Sequence, residues 1–260
     1  MTSMRTTTAV NQPLLQDKVL KTKYLFLNLL RIFRPSLILD VGSMDGSDSM
    51  RFRRMSPHSK IIAIEANPYH FSNMLGNEQL TSMNIEVRHK LASTEAVKGK
   101  FFITKGAVAG VIGGNMGTSS SLKPVDDSDV AEEIEVDTVR LDEVIAEAIT
   151  LKDWVAMWID VEGAAFEVLS SVARAKNQIA LLHVEVELVE FWCGQKLKDD
   201  VVKLVNDMGL VLLARSDNAT QQDLVFINEK LLHEYAGGVR LAMILTKWLG
   251  PASSRLLAKV

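Results

Sequence analysis

The sequence predicts an α/β fold, a mostly parallel sheet with helices on both faces and a final antiparallel hairpin, from three observations. Short apolar runs alternate with amphipathic stretches along most of the chain, as βαβ units do. The run Leu37-Ile-Leu-Asp-Val stops after a carboxylate and turns through Gly42 and Gly46 into a helix-like stretch, the way a strand feeds a helix beneath a ligand. The last two strand-like runs have only Ala214 to Gln222 between them, too short for a crossover helix, so they should pair antiparallel.

A chain of 260 residues, 47% hydrophobic and with 6 prolines, can bury one sizeable core. A net charge of -3 gives no global attraction to nucleic acid, so the expected partner is a small molecule. Arg51, Arg53 and Arg54 read as a solvated helix face, and His58 and His70 as surface residues. The single cysteine, Cys193, excludes an internal disulfide framework and fits a reducing compartment such as the cytoplasm, as a half-buried apolar side chain.

Residues 1–35 read as a helical extension. Pro13 suits a first helical turn, and Leu20, Tyr24, Leu27, Leu30 and Ile32 or Phe33 give one buried face. The apolar stretch at 24–30 is short, flanked by Lys21, Lys23, Arg31 and Arg34, and lacks a cleavage site, so it reads as a soluble helix rather than a leader. Residues 36–230 hold the main domain, with strands near 37–41, 60–65, 84–89, 154–160, 180–187, 209–214 and 223–228. Helices are expected near 47–55, 68–77, 141–149, 163–175 and 197–208. An insertion at about 93–138 breaks the rhythm. It carries strand-like runs at 101–104 and 134–139 around a Gly- and Ser-rich segment, 106–121, suited to ordering over an acceptor. Residues 231–260 read as a C-terminal helical segment. Its helix near 239–249 suits packing on the domain or on a second subunit, with peripheral membrane contact the weaker alternative and no transmembrane segment.

The chemistry gathers at strand ends. Gly42 removes a β-carbon where the chain turns beneath a ligand, and Asp40 puts a charge at the strand's carboxyl end. The second strand, Lys60-Ile-Ile-Ala-Ile-Glu65, ends in a carboxylate able to accept both hydroxyls of a ribose, and Asn67-Pro68 then opens a helix. NAD and S-adenosylmethionine both fit that acid. The wide glycine spacing and Asp45 in the turn disfavour a pyrophosphate, whereas the cationic sulfonium and ammonium of S-adenosylmethionine suit Asp40 and Asp160. On the strand 180–187, His183, Glu185 and Glu187 alternate onto one face, consistent with a polar cavity.

The blocks Ile38-Leu-Asp-Val-Gly-Ser-Met-Asp-Gly46, Ile64-Glu-Ala-Asn-Pro68, Thr118-Ser-Ser-Ser-Leu122, Leu141-Asp-Glu-Val144 and Ile159-Asp-Val-Glu-Gly-Ala164, in this order, resemble the FkbM-type methyltransferases over about residues 36–190. The resemblance implies a class I methyltransferase (Rossmann-like) fold with a seven-stranded sheet. It also implies S-adenosylmethionine-dependent O-methylation of a hydroxyl on a small molecule such as a sugar or natural product. Carried over by motif, Asp40, Gly42, Ser43 and Gly46 frame the methionine part, Glu65 and Ala66 the ribose, and Asp160 the pocket floor near the donor. Asp45 is more acidic than in many relatives.

The acceptor hydroxyl must lose a proton, and His183, Glu187, Glu162 and Asp160 are the catalytic candidates. The ligand spacing is not tight, so no metal is expected and chelation should leave turnover unchanged. The alternative is a divalent cation on Asp160, Glu185 and Glu187. An NAD-dependent oxidoreductase and a non-catalytic cofactor-binding scaffold are the rival functions.

Overall fold

The computed structural model describes residues 17–94, 97–105, 119–250 and 252. Pro13 and most of the Gly- and Ser-rich segment, 106–118, lie outside the described residues. In chain order the elements are β1 (Lys18–Val19), α1 (Thr22–Phe33), β2 (Leu37–Val41), α2 (Ser47–Met55), β3 (Lys60–Glu65), α3 (Pro68–Leu75), α4 (Glu78–Ser82) and β4 (Glu86–His89). The insertion contributes β5 (Leu91–Ala92), β6 (Lys98–Thr104), β7 (Ser119–Ser120) and β8 (Val130–Val139). There follow α5 (Leu141–Ala148), β9 (Val155–Ile159), α6 (Ala165–Ser170), β10 (Ile179–Glu187), α7 (Lys198–Asp207), β11 (Leu210–Arg215), β12 (Gln221–Asn228), α8 (Glu229–Glu234) and α9 (Ala236–Leu249).

The main sheet has the order β1-β11-β12-β10-β9-β2-β3-β4. All neighbours are parallel except β12, which runs against both β10 and β11. The sheet therefore has eight strands where the sequence led us to expect seven. The eighth is the two-residue β1, which adds to the edge beside β11. Pairing that short leaves no periodicity to read.

The central strands are mostly apolar because both faces are covered. On one face Leu25, Phe26, Leu29 and Leu30 of α1 pack with Phe52 of α2, Val239 of α9 and the sheet residues Ile38, Ala156, Leu181 and Val225. On the other, Leu141 and Val144 of α5, Val168 of α6 and Val201 and Val205 of α7 pack on Leu39, Ile62, Met157 and Val184. The 1–35 extension thus ends in a helix that is a full part of one layer.

The expected helix at 163–175 stops early. α6 ends at Ser170, and a 3-10 segment, Ala173–Gln178, replaces its last turns. Ser170 and Ser171 donate their hydroxyls to the carbonyls of Phe166 and Val168, and such back-bonding competes with helix continuation. The insertion folds into a second sheet, β5-β8-β6-β7, whose Phe101, Ile103 and Val136 pack with Ala66 and Leu91.

The sheet's order turns back between β2 and β9, with β3 and β4 on one side and β10 and β12 on the other. Ligands in open α/β sheets bind where the order reverses, beyond the carboxyl ends of the strands. Asp40 and Gly42 stand at the end of β2 and Asp160 at the end of β9, so the fold brings both acidic motifs to that crevice. No helix among the described residues is long and apolar enough to cross a membrane.

Candidate active site

A cavity of about 340 Å³ opens at this crevice. Of the residues singled out in sequence, Gly42, Glu65, Ala66, Asp160 and Glu162 line it. Asp40, Ser43, Gly46, His183 and Glu187 do not.

The turn after β2 explains the split. Gly42 has φ +78°, and a β-carbon there would lie 1.7 Å from the Asp160 carbonyl oxygen, so the ends of β2 and β9 touch through a missing side chain. Asp40 is 1% exposed, behind the turn rather than in the cavity. Its Oδ2 accepts from Ser43 Oγ at 2.8 Å and Ser49 Oγ at 2.5 Å, tying the turn to the first helical turn of α2. Burial pushes its pKa up to about 7, against the pull of both serines. Gly46, at φ +75°, starts α2 where a β-carbon would meet the Leu80 side chain at 2.8 Å. Asp45 turns from the crevice and accepts from the Ser47 amide at 2.8 Å.

Four of the five backbone donors from Gly42 to Gly46 are spent inside the protein. Gly42 and Ser43 both donate to the Ile64 carbonyl, Gly46 donates to the Ser43 carbonyl, and Met44 donates to Glu65 Oε2 at 2.7 Å. A pyrophosphate needs such amides free. Glu65 also accepts from the Asn67 amide at 2.7 Å, so each of its oxygens, in a residue that lines the cavity, has taken one of the two bonds it can accept. Asn67 caps α3, accepting from the Tyr69 amide at 2.9 Å, with Pro68 in the first turn. His70 is 5% exposed and lines the cavity 3.8 Å from Glu65, which corrects its reading as a surface residue. Helix α3 turns it inward, behind the Asn67 cap. Ile64, Ala66, Leu91 and Phe101 give this half of the cavity an apolar wall.

The other half is acidic. Asp160 lines the cavity and is exposed to it. Partial desolvation by the protein packed around the crevice, with Asp223 and Asp40 adding repulsion, pushes its carboxyl up. Glu162, in the left-handed region at φ +48°, is raised to about 8 by burial and then by Asp160 and Glu187. Glu185 is driven up by burial and by the Asp160 and Glu162 carboxylates, and its Oε1 accepts from Gln221 Nε2 at 2.7 Å. In sequence Glu185 entered as a candidate cation ligand and not as a catalytic group. The alternation that put it beside His183 and Glu187 was the available signal, but only depth in the crevice decides which of the three meets the cavity.

His183 lies too deep. It is 2% exposed, stacked on Trp158 with ring centres 3.5 Å apart and planes at 6°, and met edge-on by Phe26. Burial, helped by Lys23, pushes its pKa down to about 3, which makes it a poor base near neutrality. Glu187, 2% exposed, accepts from the Gly163 amide and has its pKa raised to about 7 by burial. Trp192 packs across Gly163, where a β-carbon would come within 2.3 Å of its ring. Arg53 donates to the carbonyls of Met83, Pro57, Ser59 and Asn84, a structural clasp in place of a solvated face. Cys193 is exposed rather than half-buried, its thiol directed at the Pro124 carbonyl.

Among solved structures, the chain is similar to an FkbM methyltransferase from Methylobacillus flagellatus KT, with TM-score 0.48 and 15% identity over 81% of this chain and 48% of that one. It is similar to a precorrin-6y C5,15-methyltransferase from Geobacter metallireducens GS-15, with TM-score 0.43 and 12% identity over 81% and 91%. It is also similar to EvdMO1, with TM-score 0.43 and 13% identity, where it covers 80% of this chain and spans 40% of the length of that protein. No curated protein matches the sequence. The model of the methyltransferase FkbM domain matches residues 40–212, from the Asp40 turn through the acidic half of the site into β11. The chain therefore belongs to the FkbM methyltransferase family.

Proposed function

We propose that this protein is an S-adenosylmethionine-dependent O-methyltransferase acting on a hydroxyl of a small molecule such as a sugar or natural product. The observation that carries the choice of cofactor is the turn after β2. Four of its five amides, those of Gly42, Ser43, Met44 and Gly46, are bonded internally and its flank is acidic, which suits a cationic ligand better than a dinucleotide. The residues present fit this cofactor. Glu65 and Ala66 take the ribose, Ile64, Leu91 and Phe101 border the base, and Gly42 leaves room for the methionine part, with Asp40, Ser43 and Gly46 fixing the turn.

When bound, S-adenosylmethionine supplies an electrophilic methyl group on a positively charged sulfur. Asp160, lining the cavity floor, would hold the positively charged part of that group. Asp160, Glu162 and Glu185 face the space left for the acceptor, and a carboxylate of this group would take the proton of the acceptor hydroxyl. Glu162 suits that task, since its raised pKa matches a base working near neutrality. His183 and Glu187 support the group from behind. Holding the acceptor oxygen in a fixed place in the cavity would supply a further share of the acceleration.

The test is incubation with methyl-labelled S-adenosylmethionine and a panel of monosaccharides, glycosides and hydroxylated aromatics, read by mass spectrometry. A methyl ether should form, and Asp160→Asn should slow its formation by about 100-fold or more. Tight S-adenosylhomocysteine binding without transfer to any hydroxyl would favour a non-catalytic scaffold. A methyl ester would move the reaction to a carboxyl acceptor.

A further inference from the structure

The two faces of α9 have different surroundings. Inward, Val239, Ala242, Met243 and Thr246 are buried, packed with α1, and Asn28 Nδ2 donates to Thr246 Oγ1 at 3.0 Å. Gly238 lets the two helices close, since a β-carbon there would come within 3.3 Å of the Ile32 side chain. These contacts hold α9 on the domain, as the sequence led us to expect, and leave its outer face exposed. Leu241, Ile244 and Trp248, at helical spacing on that face, are 51%, 55% and 77% exposed. Trp192 and Trp158 are buried and Trp154 half-buried, so Trp248 is the one tryptophan turned to solvent. A run of large apolar side chains on one exposed face marks a surface that meets something other than water.

Charge narrows the partner. Arg240 and Lys247, about two helical turns apart, are both exposed along one edge of the apolar stripe. Lys247 Nζ lies 5.9 Å from the centre of the Trp248 ring. Lys21, also exposed, reaches the carboxyl end of the helix, its Nζ 3.5 Å from where a β-carbon would stand on Gly250. No acidic side chain follows Glu234 in the sequence, whereas Arg240, Lys247, Arg255 and Lys259 do. Glu234 itself is hydrogen-bonded with Tyr235. Among the described residues of the groove beside Trp248, Asp217 is the one exposed acid, set against exposed Lys21 and Lys247.

We infer that the outer face of α9 binds an anionic lipid surface peripherally, with Leu241, Ile244 and Trp248 entering the boundary between headgroups and acyl chains. Arg240 and Lys247 lie where their long stems follow the apolar layer while their charges stay with the phosphates. An amphipathic helix of this kind lies in the interface and does not cross it. A second copy of the chain fits less well. In a two-fold pair the patch meets itself, so its cations would face cations with no acid on the helix to answer them. A specific protein interface also takes about 20–30 residues from each side, far more than this stripe offers. Lipid contact, the weaker alternative in sequence, thus becomes the favoured use of this face. It does not rest on the reaction proposed above.

The experiment floats the full chain with vesicles of phosphatidylcholine alone and of phosphatidylcholine mixed with phosphatidylserine, at low and high salt. Flotation with the mixed vesicles is expected, reduced by salt and much weaker without phosphatidylserine. Tryptophan emission should shift to the blue on binding, and Trp248→Phe should abolish the shift while still floating. Ile244→Ser combined with Trp248→Ser, and Arg240→Gln combined with Lys247→Gln, should each weaken binding at least about tenfold. Both double variants should keep the wild-type thermal midpoint, because all four side chains are exposed. No flotation with the mixed vesicles, equal flotation with both vesicle types, or wild-type flotation of both double variants would overturn the proposal. A dimer seen by sedimentation without lipid, and broken by the same variants, would overturn it in favour of a second copy. Calorimetry with S-adenosylhomocysteine on the same proteins reads the cofactor site separately, so failure of lipid binding and failure of the proposed reaction are distinguishable.

Discussion

Gly42→Ala should cost about 3 kcal/mol or more of folding stability and weaken S-adenosylhomocysteine binding at least about tenfold. The backbone there has φ +78°, a conformation that costs an L-residue about 1–2 kcal/mol. The larger part comes from position. The new β-carbon would lie 1.7 Å from the Asp160 carbonyl oxygen, an overlap that no rotamer relieves because both atoms belong to main chain. The ends of β2 and β9 would have to part, breaking the Asp160 amide to Val41 carbonyl bond now at 3.0 Å. Both sides of the cavity, the turn and the acidic floor, move with it. Urea denaturation and calorimetry on the purified variant measure the two effects, and wild-type values in both would contradict this geometry.

Glu65→Ala should reduce S-adenosylhomocysteine affinity by about 100-fold, corresponding to about 2.8 kcal/mol. Two losses add. The ribose hydroxyls lose their acceptor, and the Met44 and Asn67 amides, each 2.7 Å from a Glu65 oxygen, lose their partner in a residue that is 4% exposed. Met44 already sits at φ +53°, and the Glu65 bond holds it there. Glu65→Gln keeps one acceptor oxygen and should lose only about tenfold. Calorimetric titration of the three proteins orders them, and equal affinities would remove Glu65 from the cofactor site.

Much of this architecture was legible because it follows from strong local signals. The apolar runs at β2, β3 and β9 can only be strands covered on both faces, and Asn67-Pro68 caps α3 with the residues that capping requires. Elements decided by contact at a distance were not. β1 exists because Lys18 and Val19 meet Ala214 and Arg215, nearly two hundred residues away. The strands of the insertion were visible in part, but not the order β5-β8-β6-β7 or the early start of β8 at Val130.

The site divides in the same way. Asp40, Gly42, Glu65 and Asp160 stand at strand ends, where sequence position alone fixes their place at the crevice. Even so, position did not reveal that Asp40 faces Ser43 and Ser49 rather than a ligand, or that Asp45 turns to the Ser47 amide. His183 and Glu185 differ by two residues on one face of β10. The first lies under α1 against Phe26 and Trp158, and the second reaches the cavity. Only the position of α1 over the sheet separates a packed imidazole from an acid that faces the acceptor.

A crystal structure of the full chain with S-adenosylhomocysteine tests the central claim most directly. The expected result has the ribose hydroxyls on Glu65, the methionine part over the Gly42 turn and the sulfur toward Asp160. Ligand bound away from these three residues, or a cavity left empty at saturating S-adenosylhomocysteine, would contradict it.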